Sequence, residues 1–291
     1  MENESGKLYV GNKSGKLFVV GTPIGNLGDF SPRGLQCLAG CDFIAAEDTR
    51  VTAKLLHHFG ISKPMVSYHE HNRKSCGEKI IARLLAGETC ALVTDAGMPA
   101  ISDPGEELVN LCRDAGIAIE AVPGPTAFAT ALAVSGMPAG RFTFEGFLSV
   151  NKRSRTAHLG ALANETRTMI FYEAPHKLPH TLHDFALTFG ERPLAIVREL
   201  TKIHEEVIRT TCMQAAAVYG AEDPDAARLK GEIVLVLAGA EPVNEAAVSL
   251  EDAVALAREY AAEGLSQSEA AKRAAKETGR RRNEIYLGVR K

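Results

Sequence analysis

Short apolar runs alternate with amphipathic stretches through the first half of the chain. Residues 17–20, 42–46, 90–93 and 118–122 predict strands, and residues 79–85 and 108–115 predict helices with one apolar face. Strands that alternate with helices predict a parallel, doubly wound sheet, whose ligand crevice lies outside the carboxyl ends of its strands. At Gly136-Met-Pro-Ala-Gly140 this rhythm breaks. The later runs at 142–147, 168–172, 194–197, 206–210 and 233–237 have fewer helices between them and predict a mixed sheet. Beyond Glu241-Pro242 come three helices at 250–263, 266–277 and 280–287. Ser266 stands as N-cap of the second, Glu269 in capping-box position, and Gly279 at a helix-turn-helix-like junction. The expected architecture is an α/β protein with a parallel doubly wound sheet, a mixed-sheet α/β domain and a small C-terminal helical domain. The expected bounds are a disordered leader at 1–16, then 17–138, 139–241 and 242–291.

Three of the strand ends run into loops rich in Gly and Pro: Gly21-Thr-Pro-Ile-Gly-Asn-Leu-Gly-Asp29, Asp95-Ala-Gly-Met-Pro-Ala-Ile-Ser-Asp-Pro-Gly105 and Val122-Pro-Gly-Pro-Thr-Ala127. Any one of them can be a structural turn, but three on one sheet edge point to a ligand site built from backbone. A triphosphate loop would need Gly-Lys-Ser/Thr and a dinucleotide site G-x-G-x-x-G; neither pattern is present in these loops, and Asp95 and Asp103 would repel phosphate. A cationic or zwitterionic ligand fits better. Glu47-Asp-Thr-Arg50 closes the strand at 42–46 and reads either as a salt-bridged helix cap or as part of that edge. Polar groups also gather at later strand ends, as Glu173-Ala-Pro-His176, Arg198-Glu-Leu-Thr-Lys202 and Lys230-Gly-Glu232, where they can close the crevice from the other side.

Composition narrows the class. The chain has 291 residues, 45% hydrophobic and 24% charged, and no apolar run approaches a membrane span or a signal-peptide core, so the expectation is a cytoplasmic protein without membrane attachment. Six scattered cysteines form no C-x-x-C pair and His176 and His204 stand alone, so no metal or disulfide framework is expected. The net charge of −3 hides an uneven distribution: from Lys272 onward eight cations face only Glu277 and Glu284, a balance of +6. That basic end is either a solvated appendage or an RNA-contacting surface.

Together with Phe144-Glu-Gly-Phe147, these motifs give a specific resemblance, running from about Leu17 to the C-terminus. The chain resembles the ribosomal RNA small subunit methyltransferase I family of the tetrapyrrole methylase superfamily. The resemblance implies a homodimer that uses S-adenosyl-L-methionine to methylate the ribose 2′-hydroxyl of cytidine 1402 in the decoding centre of 16S rRNA, within the small ribosomal subunit. It places Pro23, Asp95, Gly97, Ile101, Ser102, Thr126, Ala127, Tyr172, Leu200 and Gly231 around the cofactor, in a cleft between two α/β domains. Displacement at a methyl carbon depends mainly on positioning, with removal of the hydroxyl proton as the remaining task. Glu47, Asp48, Glu173, Glu199, Lys202 and Glu232 are unranked candidates for that step. Arg50, Arg198, Arg280, Arg281 and Arg282 are candidates for RNA phosphate. A tetrapyrrole or other small-molecule methyltransferase, or a non-catalytic ribosome assembly factor that keeps the loops as scaffold, are the alternatives left open.

Overall fold

A computed structural model describes residues 15–220, 229–241 and 249–290. The first half is built from β1 (Lys16–Val20), α1 (Pro32–Gly40), β2 (Phe43–Ala46), α2 (Thr49–His58), β3 (Met65–Ser67), α3 (Arg73–Leu85), β4 (Thr89–Val93), α4 (Glu106–Asp114), β5 (Ala118–Val122) and α5 (Ala127–Ser135). Its five strands are all parallel in the order β3-β2-β4-β1-β5. Successive side chains of a strand point to opposite faces, so each apolar strand feeds two cores. Leu17, Phe43, Ala45 and Leu92 bury against α3 and α4 through Ile80, Leu84 and Leu108, while Val20, Ile44, Ala46 and Val93 bury on the other face with Leu38 and Leu56.

The second half adds β6 (Phe142–Phe147), α6 (Lys152–Ala161), β7 (Thr168–Glu173), α7 (Leu178–Phe189), β8 (Pro193–Arg198), β9 (Glu206–Thr211), α8 (Cys212–Tyr219) and β10 (Ile233–Leu237). The order is β6-β7-β10-β8-β9, with β6 and β7 parallel and the other neighbours antiparallel, which is the mixed sheet the sequence predicts. The strand β10 is buried along its whole length at the centre. Both sheets belong to one compact unit that ends at Gly239, and a second unit runs from Ala240. The latter comprises α9 (Leu250–Ala262), α10 (Gln267–Thr278) and α11 (Arg282–Val289), packed on one another through Ala253, Ala257, Ala271, Ala274 and Ile285. The Ser266–Glu269 capping box forms as predicted, and Gly279 ends α10 with φ 67°.

Three boundaries differ from expectation. Helix α5, placed in the first domain by a boundary at 138, instead packs Ala131 and Leu132 against Ile170, Val197 and Val236 of the second sheet. Its sequence, Ala-Phe-Ala-Thr-Ala-Leu-Ala-Val-Ser, is apolar nearly all round and carries no polar face to show which layer it joins. The expected leader overlaps β1, because Gly15 N–H donates to Leu84 O at 2.8 Å and Lys16 pairs with Glu120 at 2.9 Å; residues 1–14 lie outside the described residues. The last helix begins two residues later than expected, with Arg281 as N-cap.

Candidate functional site

The three Gly/Pro loops meet at the carboxyl edge of the first sheet. Thr22 and Gly97 exchange two backbone hydrogen bonds, of 2.9 and 3.2 Å, and Gly21 N–H donates to Val122 O at 3.0 Å. Gly21 and Gly124 lie back to back: a Cβ on Gly124 would stand 2.6 Å from Gly21 O and 2.8 Å from its Cα. The central loop holds Gly97 at φ 88° and Ala100 at φ 65°, the latter a strained conformation for a side-chain-bearing residue. Such strain gathers where a loop is shaped for a ligand rather than for stability.

The second sheet supplies the facing wall. The hydroxyl of Tyr172 accepts from Phe128 N–H at 3.2 Å, at the start of α5, and its ring sits edge-on to Phe144 and Phe147. The loop after β8 bears two more left-handed residues, Glu199 (φ 51°) and Thr201 (φ 64°). There Glu199 accepts from Glu232 N–H and from Lys202 Nζ, both at 3.0 Å, and Lys202 Nζ lies 3.2 Å from Glu232. A Cβ on Gly25 would stand 2.7 Å from Lys202 Cγ, so the first loop and this loop are in contact.

Between these walls is a cavity of about 390 Å³. Of the ten residues expected around the cofactor, Gly97, Ile101, Ser102, Thr126, Ala127, Tyr172, Leu200 and Gly231 line it, beside Ile24, Met98, Asp103, Phe147, Glu173 and Glu232. The other two, Pro23 and Asp95, line an adjoining cavity of about 330 Å³, which shares Ile24, Ala96 and Glu232 with the first.

The titratable groups separate by environment. Burial, with the charges of Glu47 and Asp95 behind it, pushes Asp103 up to about 6. Sequence reasoning used Asp103 only as a repeller of phosphate; its Asp-Pro-Gly setting before a helix was the available signal. Burial also raises Glu47 and Asp95, which are linked through Asp95 N–H to Glu47 at 3.4 Å and Asp48 N–H to Asp95 at 3.2 Å. Asp48 caps α2 by accepting from Arg50 N–H at 2.8 Å and pairs with the Arg50 guanidinium, which lowers it to about 2. The capping reading of the 47–50 quartet therefore describes Asp48 and Arg50, while Arg50 remains 87% exposed. Glu173 is buried, with one oxygen on Ala174 N–H and the other on the Thr181 hydroxyl, both hydrogen bonds within its own layer. Burial opposes the charge on Lys202, but Glu199 and Glu232 outweigh it and hold the ammonium above its ordinary value, which favours the cation.

Besides Arg50 on α2, the expected phosphate contacts fall in two places. Arg198 is held at the rim of the second sheet by Glu206 at 2.9 Å and Lys230 O at 3.2 Å. Arg280, Arg281 and Arg282 cluster between α10 and α11 of the helical unit, where Arg282 donates to the Ser268 hydroxyl at 2.7 Å. Among the described residues no helix is long and apolar enough to cross a membrane.

Comparison with known proteins agrees with the fold. The sequence profile of the Tetrapyrrole (Corrin/Porphyrin) Methylases matches residues 16–216. A Synechocystis protein named ribosomal RNA small subunit methyltransferase I is 48% identical over 94% of this chain and 96% of its own length; one of the same name from Bacillus subtilis is 44% identical over 94% and 93%. Among solved structures, the methyltransferase CobJ superposes with a TM-score of 0.58 at 20% identity, covering 78% of this chain and 95% of that one. Uroporphyrin-III C-methyltransferase from Thermus thermophilus, complexed with S-adenosylhomocysteine, superposes with a TM-score of 0.54 at 16% identity over 77% and 97%. With the profile covering the first sheet and all of the second but β10, and the relatives matching nearly end to end, the chain belongs to the tetrapyrrole methylase family and, within it, to the ribosomal RNA small subunit methyltransferase I family.

Proposed function

We infer that the protein is an S-adenosylmethionine-dependent methyltransferase of small-subunit ribosomal RNA, acting on the ribose 2′-hydroxyl of cytidine 1402. The observation that carries the methyl-transfer reading is the 390 Å³ cavity, where eight residues from two sheets and four loops converge. It fits this methyl donor chemically: apolar walls from Ile24, Met98 and Val234 suit a flat base, the loop backbones suit an amino-acid end, and Asp103 offers a carboxylate to positive charge. When bound, S-adenosylmethionine supplies a methyl group activated by its sulfonium. Asp103 and the loop backbones orient that ligand, and Tyr172, braced by Phe128, Phe144 and Phe147, closes the apolar side against water. Glu232 lines the cavity while its side chain is 73% exposed, so it is the carboxylate placed to take the proton of a macromolecular hydroxyl. Lys202 Nζ pairs with it at 3.2 Å. The homodimer implied by the family and a cytoplasmic location belong to the same proposal.

Incubation with labelled donor and small ribosomal subunits, free 16S rRNA or a tetrapyrrole mixture, followed by nucleoside mass spectrometry, tests this reading. Label is expected as 2′-O-methylcytidine from the subunit; label in a base or only in a tetrapyrrole would refute it.

Two further results are expected. Since Asp103 ionises near pH 6 and binds a cation best when ionised, affinity for the methyl donor should be full above pH 7 and fall below pH 6, by up to about tenfold per pH unit. Calorimetry across this range should also detect proton release on binding near pH 6, and Asp103→Asn should bind more weakly with no step there. The basic end gives the second. Changing Arg280, Arg281 and Arg282 together to Ala should flatten the log-log salt dependence of subunit binding by up to about three units, at roughly 0.9 per phosphate contact, and leave donor affinity unchanged. An unaltered slope in the folded triple variant would make these arginines a solvated face.

A further inference from the structure

The cavity of about 330 Å³ beside the first has a composition of its own. One wall is the α2 helix, with Thr52 buried and Lys54 and His58 exposed; the other is Thr94 and Asp95 after β4; Lys202 and Glu232 close the end nearest the first cavity. Thr94 is 2% exposed, yet its hydroxyl has no hydrogen-bond partner among the described residues. A buried hydroxyl left unpaired is destabilising, and such groups are rare unless a ligand or water completes them. The cavity therefore sets one unpaired buried hydroxyl among apolar side chains that include Leu27, Val51 and Leu55, with Lys54 and Lys202 as its cations and Asp95 and Glu232 as its carboxylates, and it shares Ile24, Ala96 and Glu232 with the first cavity.

We propose that this second cavity receives the acceptor nucleotide, unstacked from its RNA, with the base near Thr94 and Thr52, the ribose at the Ile24–Ala96–Glu232 junction and the phosphates toward Lys54 and His58. The proposal rests on the ribose methyltransferase reading and deepens it. Enzymes that modify one nucleotide of a structured nucleic acid take it out of the stack into a fitted pocket, and this cavity is of single-nucleotide size. At that junction the two cavities share one carboxylate, Glu232, so a hydroxyl there would lie between the donor cavity and a proton acceptor. As the new O–CH₃ bond forms and the C–S bond breaks, the hydroxyl proton passes to Glu232 and the thioether leaves into the first cavity.

The test uses the full chain saturated with S-adenosylhomocysteine, titrated with cytidine 5′-monophosphate while amide and methyl resonances are followed. Thr52, Thr94 and His58 are expected to shift, with the first-cavity residues Ile101 and Ala127 unchanged. Two variants extend it to turnover on small ribosomal subunits. Thr94→Val keeps shape and removes the orphaned hydroxyl; it should lower kcat/KM about tenfold without lowering thermal stability. His58→Trp fills the cavity from an exposed helical position and should lower kcat/KM at least 100-fold, with S-adenosylhomocysteine affinity within twofold of the parent. Shifts confined to other surfaces, no shift at 20 mM nucleotide (roughly the weakest site worth calling one), or parental turnover by His58→Trp would each overturn the proposal. If the parent methylates no RNA while the nucleotide still shifts these residues, the methylation reading fails and the nucleotide site stands.

Discussion

Gly124→Ala is expected to abolish methyl-donor binding at concentrations that saturate the parent. The added Cβ would meet the backbone of Gly21 at 2.6 to 2.8 Å, and neither loop can yield by turning a side chain. Overpacking of this kind costs about 1–3 kcal/mol in stability, or roughly 3–10 °C in midpoint for a unit of this size. The functional loss should be larger, because displacing the Val122–Ala127 loop by even an ångström moves Thr126 and Ala127, both in the cavity wall, and misplacement on that scale costs on the order of 100-fold. Gly40→Ala is the control: no atom lies within 4 Å of the added Cβ, at the end of α1, and stability should hold or rise by up to about 1 kcal/mol. Calorimetric donor titrations of both variants decide it. Unaltered affinity in Gly124→Ala would mean that the crossing of these two loops does not shape the donor site.

Glu232→Gln should lower kcat by about 100- to 10,000-fold, the range for removing a positioned general base, with donor and subunit affinities within a few-fold of the parent. The substitution keeps the shape at the cavity junction and removes the proton acceptor. Its exchange also frees Lys202 from one partner, but Glu199 remains at 3.0 Å, so the cation stays anchored. Single-turnover methylation separates this from Lys202→Ala, which should cost less in kcat and more in KM. If Glu232→Gln retained half of the parental single-turnover rate, the proton would have to leave by another group.

Period and punctuation make most of the fold legible in the sequence. The apolar run at 90–93 reads as a strand buried on both faces and the run at 233–237 as a strand of the mixed sheet, and the Gly/Pro cluster after residue 93 reads as a loop. The strand β3 was missed because three residues after Pro64 offer too short a run to show alternation. Helix α5 is not legible in the sequence, because its run is apolar nearly all round and gives no face to read. Lys202 shows the corresponding limit at the site. Its residue type admits both a base and a cation, and only the two carboxylates at 3.0 and 3.2 Å decide for the cation. Asp103 shows the opposite case, a residue visible in the motif whose role depends on burial that no spacing reports.

The place of β1 in the first sheet has a consequence for synthesis. It precedes the other described strands, yet its neighbours are β4 and β5, whose residues follow about seventy to a hundred positions later. At roughly 5–20 residues per second, a ribosome needs about 4–20 s to deliver them. Through that interval Lys-Leu-Phe-Val-Val is an apolar segment with no partner, a natural substrate for a nascent-chain chaperone. The bonds between Thr22 and Gly97 and between Gly21 and Val122 close only after β5 has emerged. Truncated nascent chains stalled before Val122 should therefore bind no methyl donor.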